Sequence, residues 1–158
     1  MILDLNLKLF ASKALSGTGA VGDNVIDLGV ARSLGGEPMS VLFICEVAAD
    51  QTTGDEDYTF VVEYASAAAQ NAGVKEIGKR KFESGTPAAP AEDADLLVAG
   101  FAFSIPIPGV TQSEDERYIG VRAVLEGTTP TITVSAYLVP SNMMDKYKAI
   151  YASGFSIA

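Results

Sequence analysis

Gly17-Thr-Gly-Ala-Val-Gly22 matches, letter for letter, the glycine pattern that cradles a dinucleotide pyrophosphate, and Glu37 follows near the spacing of the acidic residue that holds the ribose. That chemistry needs the glycines to leave a strand directly and to open a helix whose N-terminus faces the phosphates. Here six residues separate Phe10 from Gly17, and Asp23-Asn24, then Val25, Ile26, Leu28 and Gly29, follow the glycines. The run therefore reads as a flexible linker or turn. The acidic stretch Asp50-Gln-Thr-Thr-Gly-Asp-Glu-Asp57 has the oxygen ligands calcium prefers. It lacks the one-three-five ligand spacing and the terminal bidentate glutamate, and reads as a solvated hairpin loop, as does Ser113-Glu-Asp-Glu116. Glycoside hydrolysis asks for two carboxylates flanking a sugar. Glu63 and Glu126 are available, but neither stands out as half of such a pair.

The chain has no histidine, which removes Ser-His-Asp and Cys-His catalysis, histidine metal sites and the usual switch near neutral pH. Its one cysteine, Cys45, lies within the apolar run Val41-Leu-Phe-Ile-Cys-Glu-Val47, as a small buried thiol does. No catalytic residue, cofactor site or metal site emerges, and the expectation is a protein that is not an enzyme. A formal charge of −9, from 20 acidic and 11 basic residues, argues against partners that are nucleic acids or anionic membranes. Four of those cations, Lys75, Lys79, Arg80 and Lys81, are clustered. They read as a charged edge that blocks unwanted strand pairing, with docking on an acidic partner as the other reading. Met1-Ile-Leu-Asp-Leu-Asn-Leu-Lys-Leu-Phe10 has an early acid and no basic lead, so the expectation is a protein made and kept in the cytosol, unsecreted.

The elements that would carry these residues are strands. In Tyr118-Ile-Gly-Val-Arg-Ala-Val-Leu-Glu126 the residues Ile119, Val121, Ala123 and Leu125 share one face. After Gly127-Thr-Thr-Pro130, Ile132, Val134, Ala136 and Leu138 repeat the pattern, which predicts an antiparallel hairpin with one buried face. Tyr58, Phe60, Val62 and Tyr64 align likewise, as do Phe101, Phe103, Ile105 and Ile107, while residues 74–82 suggest an exposed, partly irregular strand. Leu3, Leu5, Leu7 and Leu9 alternate with polar residues, as either an edge strand or an extended arm. The alanines after Tyr64 allow a turn of helix, and Ser141 to Tyr151 allow a second helix with Met143, Tyr147, Ile150 and Tyr151 at helical spacing. About eight strands with regular turn signals make an all-β chain, a sandwich or barrel. The segments are 1–22, arm or edge strand plus linker; 23–140, the β-sandwich body; and 141–158, a C-terminal docking segment.

Five stretches resemble the capsid cement, or decoration, proteins of short-tailed phages related to the Bordetella phage. They are Met1-Ile-Leu-Asp, Asn24-Val-Ile-Asp-Leu-Gly29, Phe101-Ala-Phe-Ser-Ile-Pro-Ile-Pro108, Arg117-Tyr-Ile-Gly-Val-Arg122 and Tyr151-Ala-Ser-Gly-Phe-Ser-Ile-Ala158. The Asp50–Asp57 loop, Ala65–Ala69 and the basic cluster have no counterpart among them. The resemblance implies a single jelly-roll-like antiparallel β-sandwich with extended N- and C-terminal segments. It implies a structural protein made in the host cytoplasm and carried on the outer capsid surface of the virion, where it cements neighbouring copies of the major capsid protein. The expected self-association is a symmetric dimer or trimer. Leu3, Leu5, Leu7, Leu9, Tyr147, Tyr151 and Phe155 are the expected capsid or oligomer contacts. The alternative is a carbohydrate- or receptor-binding sandwich of a phage tail fibre. That reading calls for exposed aromatics in a groove, which six tyrosines mostly within strands and no tryptophan make hard to build.

Overall fold

Strands that place an apolar residue at every second position can bury one face only against a second layer, and the nine strands among the described residues make two layers. A computed structural model describes residues 7–29, 38–83, 96–107 and 117–143. Its strands are β1 (Lys8–Ser16), β2 (Gly19–Val21), β3 (Ile26–Asp27), β4 (Met39–Val47), β5 (Asp57–Ala65), β6 (Lys75–Glu83), β7 (Ala102–Ile107), β8 (Tyr118–Glu126) and β9 (Thr131–Pro140). Sheet A has the order β1-β9-β4-β7; sheet B has the order β2-β8-β5-β6, with β3 also paired to β8. All pairings are antiparallel.

The pairs β1·β9, β2 and β3·β8, β4·β7 and β5·β6 are those of one long ribbon folded back at its middle and then wrapped so that its two sides become two sheets. That is the jelly roll. Between the sheets lie Val41, Phe43 and Cys45 of β4, Tyr58, Phe60 and Val62 of β5, and Phe103, Ile105 and Ile107 of β7. Ile119, Val121, Ala123 and Leu125 of β8 face Ile132, Val134, Ala136 and Leu138 of β9 in the same core. Five phenylalanines, Phe43, Phe60, Phe82, Phe101 and Phe103, form a connected cluster of rings in it. The rings of Phe43 and Phe103 stack at 5.0 Å, and Phe82 meets Phe103 edge-on at 4.9 Å, near the geometries that aromatic quadrupoles favour. Cys45 is buried here, and desolvation pushes its thiol up to about 12, far from a reactive thiolate at neutral pH.

The alternation gives the correct inward faces of β8 and β9, but the two strands are not a hairpin. They belong to different sheets and oppose each other across the core. Residues 127–130 make the crossing. Gly127 has φ +97°, and a Cβ there would lie 2.3 Å from the Asp55 carbonyl oxygen, while Asp55 accepts bonds from the Thr128 amide and hydroxyl. The acidic segment before β5 is likewise a crossing from sheet A to sheet B and not a hairpin loop.

The glycine-rich stretch expected as a linker is also built into the body. β1 is an edge strand of sheet A, β2 lies in sheet B, and Gly17-Thr18 carries the chain between them with no helix following. β1 is interrupted by register shifts around Phe10, and Ser12 sits at φ +51°, so Leu9 and Phe10 are both buried despite being consecutive. Its outer edge is capped. The Leu9 carbonyl accepts from the amides of Asp23 and Asn24, and the Ala11 amide donates to Asp23, which blunts an edge otherwise open to pairing. Residues 66–73, where a helical turn was expected, form turns and bends. At the other end Ser141–Met143 is a single 3-10 turn, and the rest of the second expected helix lies outside the described residues.

Candidate interaction surfaces

Of the seven residues expected to touch capsid or partner subunits, Leu9 is fully buried in the sandwich core and so is closed to any partner. Leu7 is half-buried and packs on the same core. Leu3, Leu5, Tyr147, Tyr151 and Phe155 lie outside the described residues. The alternating leucine pattern thus ends at a strand of the body, which corrects its reading as one continuous contact series from Leu3 to Leu9.

The outer face of sheet B is polar and locked. Glu63 of β5 points away from the core, since Val62 and Tyr64 point inward, yet it is only 2% exposed. Arg122 of β8 closes on it with two bonds, Nε to Oε2 at 3.1 Å and Nη2 to Oε1 at 2.9 Å. The guanidinium also donates to the carbonyl of Gln70 at 3.2 Å. Gln70, at φ +52°, lays its amide directly on Gly120, where a Cβ would come within 1.4 Å of Nε2. The 66–73 connection is therefore clamped to the sheet by an ion pair that it helps to bury. Sequence alternation places Glu63 and Arg122 on outward faces; only the β5·β8 pairing makes them neighbours.

At the edge of sheet B, β6 carries the basic cluster. Lys81 bonds Asp57 at 2.9 Å and Glu83 at 2.6 Å, and Lys79 reaches Glu76 at 3.4 Å. Arg80, paired with Phe60 and so on the inward side, spreads its guanidinium over Phe82 at 4.8 Å and Phe103 at 5.6 Å. A charge turned inward on an edge strand discourages further pairing while its stem covers aromatic surface.

The corner where β3 meets β8 joins two of the sequence stretches singled out above, Asn24–Gly29 and Arg117–Arg122. Ile26 pairs with Ile119 and Asp27 with Tyr118, and the Leu28 amide donates to the Arg117 carbonyl at 2.9 Å. Arg117 and Asp27 form a fork with both contacts at 2.8 Å, and the guanidinium lies 5.0 Å from the Tyr118 ring. Arg117 and the Gly29 amide hold the Asp27 carboxyl down at about 2. Bonds from Thr52 lower Asp50, and bonds from Thr53 and Thr128 lower Asp55. Burial works against ionisation of Glu56, but bonds from Thr53 and nearby amides outweigh it and lower that carboxyl too. A lowered folded-state value means that each group's contribution is complete above the ordinary carboxylate range and is lost as the pH falls through the folded value. The unfolding midpoint should accordingly drop between about pH 4 and about pH 2. Asp27→Asn should flatten part of that drop, and thermal melts from pH 7 to pH 2 measure both.

The outer face of sheet A differs from the others. It carries a small apolar cluster of Leu42 and Val139, with Ile44, Ala102 and Tyr137 packed against it. At the end where the sheets cross, a cleft of about 620 Å³ is lined by Ser16, Thr18, Glu126, Thr129 and Thr131 with intervening glycines and Pro130. Among the described residues no three histidine, cysteine, aspartate or glutamate side chains converge to hold a metal, and no helix is long and apolar enough to cross a membrane.

These features define an all-β jelly-roll sandwich whose notable side chains are structural ion pairs and surface patches. No family model matches the chain, and comparison with curated proteins gives no match. Among solved structures, a chain in the structure of infectious bursal disease virus Gx strain aligns with 85% of this chain and 28% of its own length, at 13% identity and a TM-score of 0.31. A chain in the Gt strain structure aligns with 83% of this chain and 30% of its own, at 10% identity and a TM-score of 0.29. This chain thus spans less than a third of either neighbour, and the likeness is too slight to bear on function.

Proposed function

We propose that this protein is a structural component of a phage virion that binds the outside of an assembled head and cements neighbouring major capsid subunits. The observation that carries the reading is the β3–β8 corner. Two stretches that resemble cement proteins, nearly ninety residues apart in sequence, are joined there by strand pairing and the Asp27–Arg117 fork. A third, residues 101–108, supplies β7, whose inward residues stack in the phenylalanine cluster. These three stretches thus belong to one framework; residues 1–4 and 151–158 lie outside the described residues. The jelly roll also suits the role, being common to capsid and lectin domains, although a fold by itself assigns no function. Cementing needs no chemistry: a protein that binds only the assembled shell stabilises it by mass action, and contacts repeated by symmetry need not be individually tight.

On this reading residues 1–6, which precede β1 and include Leu3 and Leu5, supply an anchor that reaches an adjacent subunit. Truncation must stop before Leu7, because Leu9 and Phe10 belong to the core. Deleting residues 1–6 should leave the melting temperature within a few degrees of the full chain and abolish co-sedimentation with heads. Undiminished binding by the truncated chain would contradict the anchor.

A further inference from the structure

Residues 66–73, between β5 and β6, fold over the outer face of sheet B and are anchored there by a single buried side chain. Gln70 is 3% exposed, whereas Ser66, Ala68, Ala69 and residues 71–73 are exposed and Ala67 is half-buried. Bonds within the segment make it a unit. The Ser66 amide and hydroxyl both donate to the Ala72 carbonyl, at 3.2 and 3.0 Å, and close a neck, above which the Gln70 amide donates to the Ala67 carbonyl at 3.0 Å.

The anchor is itself costly. Gln70 takes a left-handed φ of +52°, and its Nε2 is, among the described residues, the one buried side-chain nitrogen or oxygen with no hydrogen-bond partner. An amide held dry and unpaired gives up bonds that water would supply. Here water is one small motion away. Lifting Gln70 off Gly120 hydrates the amide, lets φ relax and breaks the 3.2 Å bond from Arg122 to the Gln70 carbonyl, while both bonds between Arg122 and Glu63 stay in place. Closure thus gains one bond and the burial of a short stem, and forfeits the water bonds of a side-chain amide.

We propose that residues 66–73 are a latch that opens as a unit, with the sandwich intact, and uncovers the Glu63–Arg122 pair beside the bare backbone of Gly120. Closed, the latch shields the pair, and Glu63 is only 2% exposed. Open, it offers a partner a carboxylate and a guanidinium held in register by the β5·β8 pairing, on a floor that has no side chain. Gly120 suits the closed state as well, since a Cβ there would come within 1.4 Å of the Gln70 amide nitrogen. Partial openings of this kind, well below the cost of global unfolding, are drawn from segments with few buried contacts. The latch does not depend on the virion reading.

Relaxation-dispersion NMR on the full chain tests it, because lid openings fall in the microsecond to millisecond range. Exchange is expected at the backbone amides of Gln70, Asn71 and Gly120 and at the Arg122 side-chain Nε, with flat profiles at Phe43, Phe60 and Val134 of the core. Gln70→Met is the diagnostic variant. It keeps an unbranched stem of similar length and the backbone carbonyl that Arg122 bonds, and removes the unpaired amide. It should melt no lower than the parent and cut the exchange at Gly120 about tenfold, the effect of deleting one buried unsatisfied donor. Flat profiles at Gln70 and Gly120, or equal exchange at the core residues, would overturn the latch. So would exchange undiminished in Gln70→Met, or a Gln70→Met protein that melts below the parent, since the amide would then be paired in the closed state.

Discussion

Arg122→Ala should lower the free energy of unfolding by about 3 kcal/mol, the lower end of the cost of breaking a buried ion pair, because the guanidinium is itself partly open to water. The loss falls on Glu63. Its carboxylate has 3% of its side-chain surface exposed and would be left without its two charged donors, while the Gln70 carbonyl would lose one of its own. Coupling identifies the mechanism. Glu63→Gln should cost less than Arg122→Ala, and in the double variant the second change should add little, because no unpaired carboxylate remains to be desolvated. Urea titrations of the four proteins measure the cycle. Strict additivity would mean that Arg122 acts through packing of its stem alone, and that the 66–73 connection is held by other contacts.

Gly19→Ala should be strongly destabilising, because among the described glycines a Cβ at Gly19 makes the closest approach to backbone. The added Cβ would stand 2.1 Å from the Ala123 carbonyl oxygen, in a backbone at φ +97°. The obstacle is the neighbouring strand's main chain, so no side-chain rotation relieves it. Overpacking and the unfavourable dihedral together are expected to cost about 3 kcal/mol or more. Gly29→Ala is the control. It shares a positive φ, +77°, but a Cβ there meets nothing within 4 Å, so strain alone operates at about 1 kcal/mol. A Gly19 variant no worse than the Gly29 variant would show that β2 can draw back from β8 without loss, contrary to its place in sheet B. The comparison also explains the nucleotide-like glycine pattern: Gly17 and Gly19 take left-handed backbone angles where the chain changes sheets, and Gly22 fits beneath the β1 edge.

Local rules and global closure divide what could be read from these residues. The two-residue period is a local property, so the inward faces of β5, β7, β8 and β9 and the burial of Cys45 follow from sequence alone. Which strand lies beside which does not. β8 and β9 carry the pattern of a hairpin, but a four-residue break can either fold a ribbon or carry it across a core. The choice here depends on Asp55, some seventy residues away, bonding Thr128. Edge character was legible in the lysines of β6, because charge placement is itself local. The Asp27–Arg117 and Glu63–Arg122 pairs were not, since each joins residues brought together only by strand register. Leu7 and Leu9 keep the alternation and pack on the core, as the edge-strand reading allows; alternation does not say that the core is the chain's own, nor that register shifts in β1 bury Phe10 as well.

The most direct test of a cement function is sedimentation of purified protein with assembled, undecorated heads of a related short-tailed phage and, in parallel, with free capsid subunits. Saturable binding to heads alone, at a fixed copy number per capsid subunit, is the predicted result. Binding to neither, at protein concentrations that saturate known decoration sites, would contradict it.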